Sequence, residues 1–483
     1  MKTFRSPVAS RFVLRTDGTV EETQAYPVAD AYDVIVAGGG PAGIGAAIGA
    51  ARAGARTLLV ERNSFLGGTA TAVQMATWNM SVDRMTGYAK ELATRLIRMG
   101  GATGGGTTVP FDPESVKELT LDDVREDGIE LLLYTSAVMP LVVDGRVEGL
   151  VVENKSGRQA LRAPVVIDCT GDADVAARAG AEYVMGREED TKMRPMTVLV
   201  RMGGIDLAAM VDYAKSHPEE FDPDTTFHIL DMEHGLLRFI GFYRHIREAH
   251  ERGDLDPRIH YLRFEGIQVD KGVAFLNSVR VYDVDGTNGF DLTRAEIEAR
   301  EQVDQLVDLV THHVPGCENA YVVDTSSNMG VRETRRIVGL ETLDEPAVVA
   351  KKTYDDSIAE IWRYHAPGVD MHSPDPIEGS EQDPLHRGAK RPLLSFQIPY
   401  GVLVPAEVDG LLAAGRAIST THAGDAWTRG MYCCIVTGQA AGAAAAISAR
   451  RGIRPRDVDT AELREELTRQ GVEVGGRAVP VSA

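Results

Sequence analysis

Cysteine is scarce in this sequence. Cys169, Cys317, Cys433 and Cys434 are the only four in 483 residues, and no two of them form C-x-x-C. That excludes a dithiol redox motif, and so few thiols predict a reducing, cytoplasmic setting rather than a disulfide framework. Positive charge is short as well: 51 Lys and Arg face 71 Asp and Glu, a formal net charge of −20. A nucleic-acid or anionic-membrane partner would need a basic surface, so neither is expected. No apolar run approaches the roughly 20 residues of a membrane-spanning helix. The opening MKTFRSPVASRFVLRTDG has basic residues but no sustained apolar stretch, so no secretory signal is expected. The glycine-rich GGATGGG at 100–106 lacks the Gly-Lys-Ser/Thr of a phosphate loop and reads as a turn or hinge.

What is present is the texture of an ordinary globular protein, 43% hydrophobic and 25% charged. The length exceeds what one core holds, so two or three units are expected. The most informative stretch runs from Asp33 to Thr71. Val34 to Val36 form a short β-branched run suited to a buried parallel strand. Gly38, Gly40 and Gly43 then give G-x-G-x-x-G, with Pro41 and Ala42 opening a helix of small residues that ends at Gly54. The first glycine permits a tight turn, the second a close approach to a pyrophosphate, and the third close helix–strand packing. The helix N-terminus adds free N–H groups and a positive dipole end. Thr57 to Val60 read as the second strand, and Glu61 closes it where a carboxylate accepts from a ribose hydroxyl. Strand, glycine turn, helix, strand and acid together predict a dinucleotide site.

A second small-residue loop follows at once. Arg62, Gly67, Gly68, Thr69, Ala70 and Thr71 would serve a cofactor that extends beyond its pyrophosphate. This stretch resembles the FAD-binding N-terminus of the fumarate reductase and succinate dehydrogenase flavoprotein superfamily. The whole chain is most similar to the FAD-dependent oxidoreductase family distantly related to it. The resemblance implies an α/β fold: a Rossmann-like, glutathione reductase-type FAD-binding domain with an inserted α+β substrate domain. The expected division is a leader at 1–30, FAD-binding parts at 31–185 and 398–455, a substrate or cap unit at 186–397, and a tail at 456–483.

Further positions follow from that resemblance. Strands at 137–143, 149–153 and 158–163 form a meander with turns at Asp144-Gly145 and Ser156-Gly157. Val138 matches the position that holds adenine in the related flavoproteins. VVIDCTGDADVAARAGA matches their second dinucleotide motif, with Thr170, Gly171 and Asp172 as cofactor contacts and Cys169 where alanine is usual. Late in the chain, Gly415 and Arg416 end a buried strand, and a small-residue helix is expected to begin at Thr437. Its Gly438, Gln439 and Ala440 would then meet the flavin, with the helix dipole stabilising reduced flavin. Cys433 and Cys434 read as small apolar fillers.

In the inserted segment, Thr293 and Glu296 suggest a capping box for a long amphipathic helix. NMGVRETRRIVG at 328–339 matches the family almost letter for letter, and helical spacing would put Arg332, Arg335 and Arg336 on one face. His365, His372 and His386 stand seven and fourteen apart without cysteine, which argues against a metal site. His372 lies in a D-x-H stretch of the family. The expected function is hydride transfer between a small or medium organic substrate and flavin N5, with oxygen, a quinone or a carrier protein as external electron partner. Candidate catalytic residues are His422 for acid–base work, Arg429 to hold a carboxylate or donate a proton, and Arg332 and His372. The second reading is a flavin-dependent monooxygenase with an external reductant.

Overall fold

The computed structural model describes residues 10–104, 107–222, 237–266, 271–369, 372–376 and 391–475. Its centre is a five-stranded parallel sheet formed by β1 (Val34–Ala37), β2 (Thr57–Val60), β3 (Glu130–Leu132), β4 (Val165–Asp168) and β5 (Leu411–Ala413). The spatial order is β5-β4-β1-β2-β3, the doubly wound arrangement in which chain direction diverges on either side of β1. Every residue of β1, β2, β4 and β5 is buried, which explains the unbroken apolar runs in the sequence. Helix α1 (Pro41–Arg52) covers the sheet, and its twelve residues are mostly Ala, Gly and Ile.

Helix α2 (Met431–Arg451) lies beside α1 with its backbone in close approach. Glycines on both helices make this contact. A Cβ on Gly45 would strike the Ile435 carbonyl, and one on Gly49 the Gln439 carbonyl. Reciprocally, Gly438 faces the Ala42 carbonyl and Gly442 the Ala46 carbonyl. By length and composition α2 could cross a membrane, contrary to the sequence expectation that no apolar run is long enough. However, 94% of its most apolar window is buried within the fold, where packing against α1 accounts for its composition.

A four-stranded sheet formed by Val28–Ala31, Gly157–Arg162, Arg146–Asn154 and Ser136–Val143 packs against the central sheet. The meander follows the sequence expectation. Its first strand, however, lies mostly within the expected leader and pairs parallel to Gly157–Arg162. A second unit has its own core, built on an antiparallel sheet ordered Leu237–Gly241, Leu262–Gly266, Ala274–Leu276, Val200–Gly203 and Tyr321–Thr325. The helix Gly289–His313 covers it through Ala295, Ala299, Val303 and Leu306.

Several local expectations are corrected. Asn288, not Thr293, caps the long helix, because its side chain accepts from the Phe290 and Asp291 amides. Thr293 instead donates to the Gly289 carbonyl. Arg335–Ile337 is a strand paired with Tyr183–Met185, so the three arginines do not share a helix face. The hairpin Ser357–Tyr364 and Leu393–Pro399 was expected in the inserted unit, yet its Ile358, Ile361, Phe396 and Ile398 pack into the first core. In the expected tail, the helix Thr460–Arg469 packs Leu463 and Leu467 into that same core. His386, Asp370 and Met371 lie outside the described residues.

Candidate active site

A cavity of about 790 Å³ runs from the β1–α1 turn to the N-terminus of α2 and on into the second unit. That volume falls within the roughly 300–1,000 Å³ usual for ligand sites. At its first end Gly38, Gly40, Pro41 and Ala42 line the wall with Gly68 and Thr69. Gly38 has φ +102°, which strongly favours glycine, and its missing Cβ leaves room for the Cys169 backbone. Gly40 is the N-cap of α1 and provides no side-chain cap, so the first amides of the helix remain available. A Cβ there would meet only the Gly68 Cα, at 3.9 Å.

The other expected cofactor residues divide into lining and supporting groups. Glu61 and Arg62 line the cavity, as do Thr170, Gly171, Asp172, Gly415 and Arg416. Glu61 is buried and accepts from the amides of Gly39 (2.6 Å) and Asn63 (2.7 Å), which fixes its carboxylate at the end of β2. Asp172 is held by Arg416 (2.9 Å) and Thr334 (2.7 Å). Gly43 packs on the Gly38 carbonyl. Gly67 donates to Gly39, and Thr71 to Leu66, so that Gly67, Ala70 and Thr71 brace the second loop rather than face the cavity. Val138 does not line the cavity; its neighbours Ser136 and Ala137 do.

Gly438, Gln439 and Ala440 require a larger correction. Helix α2 begins at Met431, about 1.7 turns before the expected start at Thr437, so these residues sit inside it and outside the cavity lining. Gly438 serves the contact with α1, and the Gln439 side chain accepts from the Tyr88 amide. The residues at the helix N-terminus that do line the cavity are Gly430, Met431, Tyr432, Cys433 and Cys434. Both cysteines are free thiols. Burial pushes Cys433 well above its ordinary pKa and Cys434 up to about 12, so neither is a thiolate at neutral pH.

Asp168, unnoticed in the sequence, organises the loop at 170–172. It is fully buried and accepts from the Thr170 amide and hydroxyl and from the Ala176 amide. An acid closing an otherwise apolar strand was the available signal.

The far end brings Arg332, His372 and Arg429 into one lining, together with Arg263, Arg363 and Arg391. Across the whole cavity the carboxylates are Glu61, Asp172 and Asp174, against eight arginines that also include Arg62, Arg178 and Arg416. In a chain of net charge −20 this is a local inversion of sign, suited to an anionic occupant. His422 is not part of the lining. It is buried behind, with Nδ1 2.8 Å from Glu333 Oε1 and its amide donating to Glu188. Arg194 joins Glu333 (3.0 Å), Asp425 (2.8 Å) and the His422 carbonyl (2.9 Å). Arg336 pairs with Glu333 and donates to Thr420 and Gly186. Burial alone would raise the Glu333 carboxyl. The His422 hydrogen bond and the charges of Arg194 and Arg336 outweigh it and hold the group at about 2.

The residues at the first end fit a dinucleotide: a bare-backbone cradle at an uncapped helix N-terminus, a fixed acid after β2, and a buried Arg416 Nη1 with no partner. Residues 33–467 match the family described as FAD dependent oxidoreductase. The chain belongs to that family. As an FAD-dependent oxidoreductase it is an enzyme, and FAD is its cofactor. Thiamine thiazole synthase of Aeropyrum pernix is 34% identical over 178 residues, 34% of this chain and 63% of that protein. Digeranylgeranylglycerophospholipid reductase of Methanoculleus marisnigri is 26% identical over 173 residues, 33% of this chain and 43% of that protein. The chain thus spans less than two thirds of either relative. A solved structure of a geranylgeranyl bacteriochlorophyll reductase-like protein from Thermoplasma acidophilum aligns over 91% of this chain and 83% of its own. The TM-score is 0.47 at 13% identity. Among the described residues of this FAD-dependent oxidoreductase, no group of three or more His, Cys, Asp or Glu could hold a metal ion.

Proposed function

We propose that this FAD-dependent oxidoreductase transfers a hydride between a small or medium organic substrate and flavin N5. Its electrons would then be exchanged with an external partner such as oxygen, a quinone or a carrier protein. The carrying observation is that one cavity is lined both by the glycine cradle and by Arg332, His372 and Arg429. Bound FAD supplies the hydride acceptor or donor. The chain's own part is to hold the cofactor, orient the substrate and handle a proton. Gly40, Glu61, Arg62, Asp172 and Arg416 hold the dinucleotide. Arg429 orients the substrate beside the N-terminus of α2, with its Nε 3.9 Å from Asp425. Arg332 donates to the Pro195 carbonyl, which fixes it as a cationic wall. His372 lines the cavity and moves the proton, whereas His422 holds Glu333 in place.

Anaerobic titration with candidate substrates tests this reading. Bleaching of the flavin without oxygen supports it. Oxygen uptake that requires NAD(P)H, with no anaerobic bleaching, would replace it with the monooxygenase reading.

A further inference from the structure

We propose that the part of the cavity between Arg363 and the N-terminus of α2 is an anion subsite that receives a carboxylate of the substrate. The proposal deepens the oxidoreductase reading above and rests on it. Arg363 lies on the strand Ser357–Tyr364 and lines the cavity. Its Nε is buried with no hydrogen-bond partner, and among the described residues no carboxylate pairs with its guanidinium. Three buried arginines are compensated by carboxylates: Arg194 by Glu333 and Asp425, Arg263 by Glu265, and Arg336 by Glu333. Asp425 is close enough to act on Arg363 electrostatically, but its carboxylate is already taken by Arg194.

The neighbour of Arg363 sharpens the imbalance. A Cβ built on Gly430 would land on Arg363 Nη1, so the guanidinium lies directly against that backbone. Gly430 is the N-cap of α2, provides no side-chain cap, and is followed by no acidic residue in the first turn. The positive end of a 21-residue helix therefore meets an uncompensated cation. Two like charges in a partly dehydrated wall repel unless an anion satisfies both. Other groups in the lining point the same way. Trp78 is 3% exposed, and its Nε1–H, a donor only, has no partner. The hydroxyl of Thr108, which precedes the Val109 paired with Trp78, is likewise buried and unpartnered. These unsatisfied donors call for an acceptor-rich ligand.

The test uses the FAD-loaded enzyme, malonate as probe, and malonamide as its neutral counterpart, with the flavin absorption difference spectrum and calorimetry as readouts. Malonate is expected to bind saturably and malonamide at least tenfold more weakly. Arg363→Met should weaken malonate binding at least tenfold with FAD content unchanged, and Arg363→Lys should recover part of the loss. Equal malonate binding by wild type and Arg363→Met would overturn the proposal, as would no saturable binding by wild type. Loss of FAD from Arg363→Met would assign the guanidinium to the cofactor and also overturn it. If Arg363→Met does not fold, Arg363→Lys and Trp78→Phe carry the same comparison, with undiminished binding in both counting against the subsite. A protein that takes up no FAD would defeat the oxidoreductase reading instead. Calorimetry of wild type and Arg363→Met without FAD would then still decide whether the subsite exists.

Discussion

His422 Nδ1 lies 2.8 Å from Glu333 Oε1, within a buried cluster where Arg194 and Arg336 share the same carboxylate. Glu333 therefore compensates the buried Arg336 and, together with Asp425, the buried Arg194. Glu333→Gln should destabilise the protein by about 3–5 kcal/mol, because removing one partner leaves buried charge unpaired. Urea unfolding at pH 7 measures it.

The same carboxylate carries a pH signature. Its pKa is about 2 in the fold against 4.5 ordinarily, so the unfolded chain binds a proton first as pH falls. The stability it contributes is present above about pH 4.5 and is lost as pH drops toward 2. Unfolding midpoints of wild type should fall over that window, and those of Glu333→Gln should fall less.

Asp123 should act in the opposite sense. Its carboxylate is buried between Tyr88, which donates to it at 2.6 Å, and Arg95. Burial raises it from 3.8 to about 6, against the pull of those partners. The folded state holds the proton longer than the unfolded chain, so this group lowers stability as pH rises from about 4 to 6. In Asp123→Asn that part of the decline should vanish from the stability profile measured by thermal unfolding.

Gly438 tests the helix contact. A side chain there would fall on the Ala42 carbonyl, in packing with no slack. Gly438→Val should destabilise by at least about 1–3 kcal/mol, and should lower FAD retention because α1 carries the glycine cradle. Retained stability with full FAD content would mean that the two helices can part.

The two histidines separate by role. His372→Ala should slow flavin reduction by about 10²–10⁴-fold, the range for a lost acid–base group. His422→Ala should chiefly lower stability through Glu333. Stopped-flow reduction with any bleaching substrate distinguishes them, and equal rates for wild type and His372→Ala would remove His372 from the proton path.

Much of the dinucleotide half was legible because its signals are local. Four-residue strands, glycine spacing and the acid after β2 all lie within thirty residues, and α1 follows from Pro41 and its small residues. The start of α2 was not legible. The small-residue run at 437–442 reads as a beginning, yet its smallness comes from α1, some 400 residues earlier in the chain. Arg332, Arg335 and Arg336 misled for a related reason. Their spacing suits a helix, but pairing with Tyr183–Met185 draws Arg335–Ile337 into a strand. Arg363 gave no signal at all, since a missing counter-charge becomes visible only once the neighbours are placed. His422 looked catalytic because of its motif, and only its buried bond to Glu333 shows it behind the cavity wall.

The most direct test of the central claim is an absorption spectrum of the purified protein before and after acid precipitation. A yellow protein with flavin bands, releasing FAD to the supernatant, is the predicted result. A colourless protein that cannot be reconstituted with FAD would contradict the account.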